Sequence, residues 1–213
     1  MAQTGIDISK KRLDNLDKKI ISFGASPIEN EKIAIDIGCG FAKVSIVLAI
    51  MGWRVYLYDK RDLETHFKEI SKVLNLEDKL IFRKMDLRNL SSDHLPDNAK
   101  IIIAQRVLHY FEFKKAQDLL KIITDKLMKE GRMFVSFSGI DSKLGDNYKA
   151  KNLPIGKRYD FLSQQNQDLF DIKEKIALYS KEEVLELFRE VNLKLVEISL
   201  SKFANVQSVF QKK

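Results

Sequence analysis

Short apolar runs alternate with longer amphipathic stretches from Ile33 to Gln211. The runs predict strands at Lys32–Ile37, Arg54–Tyr58, Lys79–Lys84, Lys100–Ala104, Arg132–Phe137, Leu193–Leu200 and Phe203–Gln211. The first five include runs such as Ile101-Ile102-Ile103, with no polar alternation, the mark of a parallel sheet covered on both faces. The last two are separated only by Ser201-Lys202, too short for a crossover, so they must pair as an antiparallel hairpin. Between the strands, helical spacing groups Val44, Val47, Leu48 and Met51 ahead of Gly52. It also groups Leu63, Phe67, Ile70 and Leu74, and then Ala116, Leu119, Leu120, Ile123 and Leu127, with a stop near Gly131. Ser180 and Glu183 form a capping box ahead of Val184, Leu187, Phe188 and Val191. The expected fold is α/β: a Rossmann-like three-layer sandwich on a seven-stranded, mostly parallel sheet with an antiparallel C-terminal hairpin.

Two regions stand outside this rhythm. Residues 6–22 read as an amphipathic N-terminal helix. Ser138–Tyr179 is long, polar and punctuated by Gly139, Gly145, Pro154 and Gly156, and it carries Tyr148, Tyr159, Phe161 and Phe170. An insertion at the carboxyl end of a strand reads as a lid over an acceptor site, within a single domain spanning residues 1–213.

Composition narrows the picture modestly. Apolar content of 45% and charged content of 31% suit a globular protein with a real core. Cys39 is the only cysteine, so no internal disulfide can form, which fits a reducing, cytoplasmic setting. No apolar stretch approaches membrane-spanning length. The net charge of +7 invites a nucleic-acid partner, but lysine outnumbers arginine 28 to 9 and is scattered among acids, the pattern of a solvated surface.

The informative chemistry is Ile33-Ala34-Ile35-Asp36-Ile37-Gly38-Cys39-Gly40, a strand running into a carboxylate and a glycine turn. Asp59 follows 23 residues after Asp36, at the end of the next apolar run, where it can accept both hydroxyls of a ribose. A dinucleotide fold wants a third glycine at position 43; Lys43 stands there, which disfavours NAD or FAD. The Walker lysine pattern is also missing, which disfavours ATP or GTP. A carboxylate ahead of the glycines suits a cationic group rather than a phosphate.

At these residues the chain resembles the class I S-adenosylmethionine-dependent methyltransferases, over roughly residues 30–213. The resemblance implies S-adenosylmethionine as cofactor and S-adenosylhomocysteine as its product. It implies that Gly38, Cys39 and Gly40 line the adenosyl and methionyl parts, and that Asp36 faces the methionine ammonium. Asp59 would hold the ribose, with Lys60 beside the adenine; Asp86 and Leu87 would meet the adenine amino group; Gln105 and Arg106 would lie near the methionine tail.

Methyl transfer is a direct displacement, so the missing groups are informative. A second cysteine, which C5-pyrimidine chemistry would use, is lacking. The segment after the fourth strand is Gln105-Arg106-Val107-Leu108-His109-Tyr110-Phe111, not the Asn/Asp-Pro-Pro-aromatic pattern of nucleic-acid amine methyltransferases. It is similar to small-molecule and tellurite-resistance-like members. His109 is then the first candidate base or acceptor contact and Tyr110 the second, while His66 and His94 read as surface residues. The histidines and the cysteine have no metal-ligand spacing, so no metal is expected. The expected activity is methylation of a small molecule. RNA or protein acceptors, and a binding module without turnover, stay open; nothing here sets the oligomeric state.

Overall fold

The computed structural model describes residues 14–27 and 32–213. Its seven-stranded sheet has the order β3-β2-β1-β4-β5-β7-β6. The strands are β1 (Ile33–Ile37), β2 (Arg54–Asp59), β3 (Leu80–Lys84), β4 (Ala99–Gln105), β5 (Leu127–Phe137), β6 (Leu193–Leu200) and β7 (Val206–Lys212). The first five pair in parallel, and β7 runs antiparallel between β5 and β6. The expected fold class is therefore the observed one. The strand order reverses between β1 and β4, and the crevice outside the carboxyl ends at such a reversal is where open α/β sheets bind ligands.

Alternation along β1 separates the two faces of the sheet. Ile33, Ile35 and Ile37 enter a core with Leu119, Leu120 and Ile123 of α4 (Phe113–Asp125) and Val184 and Leu187 of α6 (Lys181–Leu187). Ala34 faces the other way, with Leu16 and Ile20 of α1 (Asn15–Gly24), Leu48 of α2 (Lys43–Ile50) and Phe67 of α3 (Glu64–Leu74). Period-2 strands thus give each helical layer its own core, and Asp36 falls on the α2 side.

The structure corrects several boundaries. Leu127 leaves the helical stripe: α4 ends at Asp125, and Leu127 opens β5 by pairing with Ala99. Its apolar side chain fits either period, and pairing with the sheet decides. The hairpin connection is longer than two residues. Ser201 N–H donates to Asn205 O at 2.8 Å, Ala204 is left-handed (φ 56°), and Phe203 lies in the turn instead of the strand. The N-terminal helix begins at Asn15 behind an Asp14/Asp17 capping box; the part expected before Asp14 lies outside the described residues.

The insertion is less irregular than its composition. It contains α5 (Gln164–Phe170) and a small core of Leu144, Tyr148, Leu162, Phe170, Ile172, Ile176 and Leu178. Tyr148 Oη donates to Ile176 O at 2.7 Å. Buried Arg158 donates to Leu178 O at 3.0 Å and to the Glu183 carboxylate at 2.7 Å, and Glu183 also completes the α6 capping box. The insertion is thereby fastened to the first turn of α6.

No helix among the described residues is long and apolar enough to cross a membrane.

Candidate active site

The twelve residues singled out in the sequence line one cavity of about 1580 Å³ at the carboxyl ends of the strands. The turn after β1 forms its floor. Gly38 (φ 67°) and Gly40 (φ 56°) are left-handed, a conformation that L side chains adopt at a cost of about 1–2 kcal/mol. A Cβ at Gly38 would lie 2.4 Å from Val107 Cγ2, so the loops after β1 and β4 touch at the sheet's reversal point only because that Cβ is missing. Gly38 and Cys39 N–H both donate to Tyr58 O, at 2.8 and 3.0 Å, tying the turn to β2.

Asp36 is buried behind this turn and accepts from Ser45 Oγ of α2 at 2.6 Å. Burial pushes its carboxyl up to about 7, against the pull of that hydrogen bond, with Asp59 and Asp17 adding repulsion. Asp59 is also buried, yet it stays below the usual carboxylate range. Burial raises it, but the Arg61 hydrogen bonds and charge, with the Gly40 amide, outweigh that cost. Oδ1 accepts from Arg61 N (3.0 Å) and Nε (3.0 Å); Oδ2 accepts from Gly40 N (2.9 Å) and Arg61 Nη2 (3.2 Å). A carboxylate has about four lone-pair sites, and here all are taken. Burial also pushes the Cys39 thiol up, which keeps it a neutral packing group.

Lys60 forms an ion pair with Glu174 of the insertion, so the end of β2 is bridged to that insertion. Asp86 caps a short 3-10 turn, accepting from Arg88 N at 3.0 Å and Arg88 Nε at 3.1 Å, while Leu87 is buried beside it. Gln105 Nε2 donates to Asp17 Oδ1 of α1 at 2.8 Å, and Gln207 Nε2 donates to Asp14 at 2.8 Å. Arg106 (φ 50°) follows at the cavity wall.

His109 is held as a neutral imidazole. Its Nδ1 accepts from Ser138 N–H at 3.2 Å, which places the proton on Nε2, and Nε2 is buried with no partner. Burial, then the nearby Arg106 charge, pushes the imidazole down to about 3, so it is neutral and a donor at pH 7. Tyr110 packs edge-on against it at 4.4 Å, and burial pushes its phenol up to about 12. Tyr110 therefore reaches the cavity as a hydroxyl, not a phenolate. Tyr159 Oη donates to Tyr110 O at 2.9 Å and Ala177 N–H to His109 O at 2.8 Å, seating the insertion on this segment.

Sequence reasoning missed Arg61, Ser45, Val107, Asp14, Asp17 and Glu174. Three carried a signal: Arg61 stands two residues beyond Asp59, and Asp14 and Asp17 have a helix-cap spacing. Among the described residues no group of three or more His, Cys, Asp or Glu side chains could hold a metal ion.

The chain belongs to the methyltransferase domain family, whose model matches residues 9–198. The same fold occurs in the 1,6-didemethyltoxoflavin-N1-methyltransferase of Burkholderia thailandensis, solved with 1,6-didemethyltoxoflavin and S-adenosylhomocysteine. That likeness has a TM-score of 0.67 at 12% identity, covering 94% of this chain and 79% of that one. Magnesium protoporphyrin IX methyltransferase of Synechocystis PCC 6803, solved with S-adenosylmethionine, gives 0.63 at 14% identity, over 93% and 77%. TehB of Haemophilus influenzae gives 0.61 at 14%, over 92% and 62%. At these identities the likeness is one of fold. A sequence search of curated proteins returns no match.

Proposed function

We propose that this protein transfers a methyl group from S-adenosylmethionine to a small-molecule acceptor, within the small-molecule and tellurite-resistance-like branch of its family. The observation that carries the reading is the cradle of Asp36, Gly38, Gly40 and Asp59, with one buried carboxylate on each of two neighbouring strands. The residues fit the cofactor. A buried carboxylate of raised pKa suits an ammonium, which would restore its charge. Glycine at position 38 lets the turn after β1 close against Val107 and lie along the cavity floor, where a ligand would meet it. An ionised carboxylate at the end of β2 suits a ribose diol once Arg61 moves aside.

When bound, the cofactor supplies an activated methyl on a sulfonium. The chain's own part is binding, alignment and exclusion of water. Asp36, held by Ser45, fixes the cationic end. Asp59 fixes the sugar. The Lys60–Glu174 pair and the Tyr159–Tyr110 bond hold the insertion over the cavity, which limits solvent. His109 Nε2 and the Tyr110 hydroxyl would meet the acceptor as hydrogen-bond donors. Location in the cytoplasm belongs to the same reading.

Calorimetric titration with S-adenosylmethionine and S-adenosylhomocysteine, with NAD and ATP as controls, tests it. Binding of the first two alone supports the reading; binding of NAD or ATP in their place refutes it.

A further inference from the structure

Between α5 and the bridge that joins Ile176 to Asp160, the residues Lys173, Glu174 and Lys175 make no backbone hydrogen bond to any described residue. The span is fixed at both ends. Ile172 N–H donates to Gln167 O at 3.1 Å, just after a left-handed Asp171 (φ 51°). Ile176 exchanges backbone bonds with Asp160, at 3.0 and 3.3 Å, and Ala177 N–H reaches His109 O. All three residues of the span line the cavity. In between, only side chains hold it. Lys173 pairs with Asp168, and Lys175 lies 5.5 Å from the Phe161 ring centroid, both within the insertion. Among the described residues, only Glu174 of the three bonds outside the insertion, to Lys60.

Lys60 follows Asp59, at the end of the cavity assigned to the adenosyl group. Asp86 and Arg88, after β3, pair there too, with Arg88 Nη2 at 3.1 Å from Asp86 Oδ2. The Lys60 charge acts on Asp86 and the Glu174 charge acts on Arg88. Four charges of alternating sign thus join the loops after β2 and β3 to the insertion. The Glu174 charge also acts on Tyr110, so the span lies between the end of β2 and the segment after β4. The side chains of Lys60 and Glu174 are 39% and 44% exposed. An exposed pair of this kind shifts an equilibrium by only about two- to fivefold. A span without backbone bonds, held to the sheet by one such pair, opens readily.

We propose that residues 173–175 form a strap across the adenosyl end of the cavity, and that each entry or exit of the cofactor waits for the Glu174–Lys60 bond to open. This rests on the cofactor reading for what passes under the strap; the opening of the strap itself does not. Glu174 is a positioning residue that acts through Lys60.

Surface plasmon resonance on the immobilised full chain, with S-adenosylhomocysteine as the probe, tests the gate. Glu174→Gln should raise the association and dissociation rate constants together, each by about two- to fivefold, and leave Kd within about twofold. The probe has no net charge, so raising salt from about 50 to 500 mM should quicken association in the wild type, by screening the pair, and not in the variant. A rise in dissociation alone would make Glu174 a direct ligand contact, and unchanged rates would leave the strap without a role; either overturns the proposal. Trypsin tests the strap without any ligand. Cleavage after Lys173 or Lys175 should be about two- to fivefold faster in Glu174→Gln, since it tracks the open population. An unchanged cleavage rate overturns the strap. Absence of any S-adenosylhomocysteine binding sinks the cofactor reading instead, and trypsin then decides the strap on its own.

Discussion

The guanidinium of Arg61 lies side-on against the carboxylate of Asp59, with Nε at 3.0 Å from Oδ1 and Nη2 at 3.2 Å from Oδ2. A ribose diol and this guanidinium compete for the same lone pairs. Arg61→Met should therefore bind S-adenosylhomocysteine tighter, by about three- to tenfold, since about 1 kcal/mol of hydrogen bonding no longer has to be exchanged. Weaker binding, measured by calorimetry, would mean that Arg61 supports the ligand instead of blocking it.

Asp36 gives a pH signature. Its folded pKa, raised to about 7 from 3.8, means that the unfolded chain ionises first as pH rises. The folded state is then penalised increasingly between those values and by a constant amount above about pH 7. Asp36→Asn removes the penalty. It should stabilise the protein at pH 7.5, by no more than about 4 kcal/mol, and change little at pH 3.5. Urea denaturation at both pH values checks this. In the wild type, S-adenosylhomocysteine affinity should fall below pH 7 by up to about tenfold per unit, because an ammonium needs the ionised carboxylate. A flat affinity profile from pH 5.5 to 7.5 would break the Asp36–ammonium assignment.

Gly38→Ala puts a methyl 2.4 Å from Val107 Cγ2 on a left-handed residue. A stability loss of about 2–4 kcal/mol is expected from clash and backbone strain together. Adding Val107→Ala should recover the clash but not the strain. Full recovery in thermal denaturation would show the left-handed turn to be dispensable.

His109 should stay neutral and protonated on Nε2 from pH 8 down to about pH 4, read from its imidazole nitrogen shifts. A midpoint near 6.5 would mean that the ring leaves the Ser138 amide and is available as a base.

What could be read from the sequence is what is local. Asp36, Gly38, Gly40 and Asp59 stand at the ends of buried runs, so strand period and turn chemistry place them together before any tertiary contact is known. Leu127 fits a helical stripe by sequence because it stands four beyond Ile123, and only pairing with Ala99 assigns it to the sheet. The tautomer of His109 depends on an amide 29 residues away, and the bond from Gln105 to Asp17 spans 88 residues; no periodicity carries such pairings. The insertion reads as polar because its small core uses apolar residues spaced irregularly between Leu144 and Leu178.

The most direct measurement is a crystal structure of the complex with S-adenosylhomocysteine. The expected result has both ribose hydroxyls on the Asp59 carboxylate, Arg61 displaced from at least one oxygen, and the ligand's ammonium facing Asp36. A ligand bound elsewhere in the cavity, with Arg61 still holding both oxygens of Asp59, would contradict the assignment of this cradle.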